Sequence, residues 1–126
     1  MNKKVKNGNA VFWKTENGII HIEYLQKTNH TIEDSKEQVA FIKKLNGGQN
    51  ALIVSDPSKV VSIDDSSKKY YETDEVKKTI KAIALIVNGY FTKHVINFVF
   101  KAKGPNTIPS KAFKSRKNAE EWLLSL

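Results

Sequence analysis

The chain has 126 residues, 40% of them hydrophobic, and 21 Lys and Arg against 13 Asp and Glu give it a net charge of +8. That length suits one domain around one core, and a domain of this size buries about two-thirds of its unfolded surface without covalent staples. The absence of cysteine excludes disulfides, thiolate metal sites and a cysteine nucleophile together.

Residues 1–9 are basic and have no apolar run behind them, so a flexible or edge segment is expected there and not a signal peptide. No apolar run approaches the ~20 residues of a membrane-spanning helix, and with the lack of cysteine this predicts a cytoplasmic protein. The runs 10–15 and 19–24 flank Glu16-Asn17-Gly18. Asn-Gly between two β-rich runs predicts a hairpin in which both turn residues take positive φ. A helix is expected over 31–45, with Thr31 and Asp34 capping it and Val39, Ile42 and Leu45 on its buried stripe. Asn46-Gly47-Gly48 stops it.

Residues 51–54 form a short continuous apolar run, the pattern of a strand covered on both faces, which Ser55-Asp56-Pro57 ends. Val60-Val61-Ser62-Ile63 reads as a turn or short edge segment. It leads into Asp64-Asp65-Ser66-Ser67, a good helix N-terminus, and a second helical piece is expected from Thr73 to Ile80. A buried strand follows at 82–87, then Asn88-Gly89, a helix over 90–102, and the breaker Gly104-Pro105. A short strand at 111–113 and a terminal helix capped by Ser115 close the order β-β-α-β-α-β-α-β-α. Strands alternating with helices require crossovers and so give an α/β fold, a mostly parallel central sheet flanked by helices.

That order, with Val60-Val61-Ser62-Ile63-Asp64-Asp65-Ser66-Ser67, resembles the SpoIIAA-like (STAS) fold of anti-sigma-factor antagonists, whose second helix begins at a hydrophobic–Asp–Ser–Ser–Gly turn. Lys81-Ala82-Ile83-Ala84-Leu85-Ile86-Val87-Asn88, Ile96-Asn97-Phe98, the Pro-rich turn before Phe113, and Ala119-Glu120-Glu121-Trp122-Leu123 resemble small bacterial STAS-like proteins. The resemblance implies one STAS-like domain over 1–126 that acts by protein contacts in regulation. It also implies phosphorylation or recognition at Ser66 and Ser67, the latter at the family's acceptor position; Lys68 stands where the family has glycine. Capping of a helix by the same four residues is the plain alternative.

The segment over 90–102 carries a second lead. Phe91, Val95, Phe98, Val99 and Ala102 make one core-facing stripe, and Ile96 and Phe100 widen the apolar arc beyond it. Phe91, Ile96 and Phe100 are therefore candidates for an apolar contact surface, in a homodimer, against a protein partner or on lipid. The alternative is that the terminal helix covers them. Asn88 and Gly89, after a buried strand, and Lys93 and Lys101 on the polar strip are candidate anion contacts.

Residues 76–119 hold ten basic residues and no acid, which favours an anionic partner such as a lipid surface. Arg116 is the one arginine, so specific nucleic-acid readout is not expected. His21, His30 and His94 are scattered, with no metal-ligand spacing, and no metal or other cofactor is expected. No GxSxG, GxGxxG or GxxxxGK[ST] pattern occurs, and Asp64 and Asp65 are adjacent and divergent. The sequence therefore predicts a non-enzymatic domain acting through protein contacts, or alternatively one that binds a membrane surface or an apolar, lipid-like ligand.

Overall fold

The computed structural model describes residues 3–87 and 108–126. Six strands make the main sheet in the order β1-β2-β3-β5-β7-β8: β1 (Val5–Asn7), β2 (Ala10–Lys14), β3 (Ile19–Tyr24), β5 (Ala51–Asp56), β7 (Ile80–Ile86) and β8 (Ser110–Phe113). The first three are antiparallel, and β3, β5, β7 and β8 run parallel. The mostly parallel, helix-flanked α/β architecture expected from the sequence is the one observed.

The opening segment is an edge strand, β1, paired with β2. Gly8, with φ of 60°, turns that hairpin. At the next hairpin the expected two-residue turn is corrected. The loop has three residues between the paired ends, closed by Thr15 N–H to Ile19 O at 2.8 Å. Only Gly18 takes a positive φ, 85°. The longer loop needs one left-handed residue where a two-residue turn needs two, so Asn17 stays in ordinary backbone.

Helix α1 (Ile32–Leu45) starts as expected, with Thr31 and Asp34 in a reciprocal capping box. It lies with α2 (Asp65–Tyr70) and α3 (Asp74–Thr79) over one face of the sheet. Phe12, Ile20, Ile22, Ile53, Val39 and Ile42 form the core there, and Phe12 meets Phe41 edge-on at 4.8 Å. Such an aromatic pair adds about 0.5–1.5 kcal/mol beyond area burial. On the opposite face α4 (Arg116–Leu124) sets Ala119 and Leu123 against Ile19, Val54, Ala82, Ala84 and Ile86.

Of the two readings of Val60–Ile63, a turn or a short edge segment, the structure shows a short strand. It is β6, paired in parallel with β4 (Thr28–His30) in a separate two-stranded sheet. The register sets Asn29 beside Ser62, whose Oγ donates to Asn29 Oδ1 at 2.6 Å. Thr28-Asn29-His30 has little intrinsic strand preference, so its pairing comes from a ladder some thirty residues away. This small sheet stands beside α1 and carries His30 into the interior.

Candidate functional site

Three layers meet around a cavity of about 80 Å³. Its floor is the sheet face beneath α1, where the register aligns Ile22, Ser55 and Leu85 across β3, β5 and β7. Ile42 and Gln38 of α1 bound it on one side, and Val60, Ile63 and Tyr71 on another. The sequence places apolar residues at nearly all of these positions, as strands buried on both faces require. Ser55 interrupts the floor: its hydroxyl makes no hydrogen bond among the described residues.

The polar groups gather at one end. Tyr24 and Gln38 are hydrogen-bonded, with Gln38 Nε2 to Tyr24 Oη at 3.0 Å. The His30 ring stands edge-on to Tyr24 with centroids 6.1 Å apart. His30 is only 5% exposed and lines the cavity. Burial holds its pKa below the ordinary histidine value, although Asp34 and Asp64 pull the other way. Burial likewise raises the Tyr24 and Tyr71 phenols. All three rings are therefore neutral near pH 7, and the described residues that line the cavity carry no formal charge. An apolar chamber with a few converging neutral polar groups is suited to holding a ligand.

The serines expected at the start of the second helix lie apart in environment. Asp64 caps α2, its Oδ1 accepting from Ser67 N–H at 2.7 Å. Ser66 is exposed. Ser67 is 0% exposed and its hydroxyl meets that of Ser35 on α1. Ser67 thus joins α2 to α1 and is closed to solvent in this conformation. Phe91, Ile96 and Phe100, and Asn88, Gly89, Lys93 and Lys101, lie outside the described residues.

On the other face of the sheet sits a polar cluster that neither motif nor spacing announces. His21 is 2% exposed and stacks on its cross-strand partner Trp13, centroids 5.1 Å apart. Arg116 Nη1 approaches His21 Nδ1 at 2.7 Å, and Glu120 Oε1 approaches Nε2 at 2.7 Å. Arginine can only donate, so Nδ1 accepts and the ring proton sits on Nε2, pointing at Glu120. Desolvation lowers the His21 pKa more than Glu120 raises it, and Arg116 lowers it further. Arg116 also donates to Glu23 at 3.1 Å and lies over Trp13. This cluster is satisfied throughout and fastens α4 to the sheet. Among the described residues no group of three or more metal-ligating side chains converges, and no helix is long and apolar enough to cross a membrane.

No curated protein matches the chain at a significant level. Among solved structures, an uncharacterized protein of the DUF3478 family from Shewanella loihica PV-4, described as having a SpoIIAA-like fold, superposes with a TM-score of 0.53. The match covers 98% of this chain and 92% of that one at 13% identity, a likeness of fold. It agrees with the SpoIIAA-like architecture of the main sheet and its helices. The profile of DUF7793, a domain of unknown function, matches residues 12–126, and the chain belongs to that family.

Proposed function

We propose that this chain is a non-enzymatic binding domain whose ligand is small and largely apolar, held in the cavity between α1, the β4–β6 pair and the main sheet. The observation that carries this reading is the cavity itself. Protein interiors are packed as closely as organic crystals, yet here about 80 Å³ stays open beside the His30 imidazole. Space of that size admits several water-sized groups, but its walls are mostly apolar. A bound ligand would tie α1, β4–β6 and the sheet floor together and so change the surface offered to a protein partner. That keeps the regulatory role implied by the resemblance to anti-sigma-factor antagonists, with the cavity in place of Ser67 as its input.

Benzene is a suitable probe, followed through the methyl resonances of Ile53, Ile83 and Leu85. Saturable shifts confined to these and neighbouring methyls are expected. Ser55→Leu fills the floor without breaking any hydrogen bond, so it should abolish those shifts and raise stability by about 0.5–2 kcal/mol. Absence of saturable shifts in the wild type up to the solubility limit of benzene would exclude the reading.

A further inference from the structure

The cavity's polar end restricts what its ligand can carry there. Tyr24, Gln38 and His30 form a wall between the cavity and a shallow depression beside the β1–β2 turn, whose rim includes Asp34 and Glu37. Neither space is lined by lysine or arginine among the described residues. The carboxylates nearest His30 are already engaged. Asp34 Oδ2 accepts from Thr31 N–H at 3.0 Å, and Asp64 accepts from Ser67 N–H and, at 3.3 Å, from Ile32 N–H. Both act on the His30 ring through space.

An anionic head brought to this wall would lose its hydration, find no cation among the described residues and face two carboxylates. Uncompensated burial of that kind is prohibitive. A cationic head fares little better, because the carboxylates it would seek are committed to helix caps. A hydroxyl is different. It both donates and accepts, so it pairs with a neutral imidazole in either tautomer.

We propose that the cavity selects an apolar ligand with an uncharged, hydrogen-bonding head such as an alcohol, held by the His30 imidazole, and rejects the corresponding carboxylate. The proposal rests on the cavity being a ligand site. 1-Hexanol and hexanoate share a chain and differ at the head, and at about pH 7.5 the acid is fully ionised. Titrated into the wild-type protein and followed on the same methyl resonances, hexanol should bind at least about tenfold more tightly than hexanoate. His30→Phe should weaken hexanol by about tenfold and leave benzene unchanged, and His30→Gln, which restores a hydrogen-bonding group, should recover much of the loss. Equal affinities for hexanol and hexanoate, with benzene still binding, overturn the head-group assignment alone. Hexanol binding that His30→Phe leaves intact removes His30 as the partner. Failure of benzene to bind the wild type overturns the cavity reading and this inference together. Should His30→Phe not fold, the wild-type comparison of alcohol and acid decides.

Discussion

Ser67 and Ser66 are neighbours in sequence with opposite consequences for substitution. Ser67 is enclosed against Ser35 with no room for charge, so Ser67→Asp buries an unpaired carboxylate and should cost about 3 kcal/mol or more. Ser67→Ala loses one hydrogen bond, worth about 1 kcal/mol. Ser66→Asp places its charge in solvent at the first turn of α2 and should stay within about 0.5 kcal/mol of the wild type. Urea unfolding of the three variants checks this order. The sequence shows both serines in the capping turn but not which one faces α1, because that depends on where α2 docks. His30 and Ser55 were equally hidden: one precedes a helix and the other ends a strand, and neither position marks a residue as facing a cavity. His21 and Arg116 stand 95 residues apart, a separation that no local pattern spans.

At the scale of elements, β1 has a clear task. It covers the edge of β2 from Ala10 to Phe12, which would otherwise expose unpaired backbone groups. Exposed edges recruit other strands. Removing residues 1–8 should therefore leave the fold intact, since the core begins at Ala10, but should promote edge-to-edge self-association. Light scattering over a concentration series checks this; a monomer at all concentrations would show that β2 needs no cover. Helices α1 and α4, the buried strands β5 and β7 and the caps at Thr31, Asp64 and Ser115 follow from sequence periodicity and end signals. β4 and β6 do not, since each is short and is held by the other. The cavity is bounded partly by these two strands, so it was least legible where the fold was least local.

For the whole molecule, two buried neutral histidines couple stability to pH. His21 and His30 both have folded pKa values below the unfolded value of 6.5. The unfolded chain therefore takes up protons first as pH falls. Their contribution is intact above about pH 6.5 and is lost as the pH drops from there toward the folded values, by at most about 1.4 kcal/mol per pH unit for each histidine. Thermal unfolding between pH 7.5 and 5 should show a falling midpoint, and His21→Gln should flatten the decline while lowering stability at pH 7.5. A midpoint with the same slope in the variant would remove His21 as a contributor. Protonation at Nδ1 would also set an N–H against the Arg116 guanidinium, so the loosening should begin at α4.

The placement of α4 bears on the order in which the molecule is made. Ala119 and Leu123 cover Ile19 and Val54, and Arg116 and Glu120 grip His21. During synthesis the early strands emerge long before these partners do. One apolar face of the growing sheet must wait uncovered until residues 116–124 have left the ribosome. Contacts of such long sequence separation slow folding and lengthen exposure. The nascent chain is therefore most vulnerable to sticking or to proteases just before α4 arrives, and that helix acts as the latch that ends the interval.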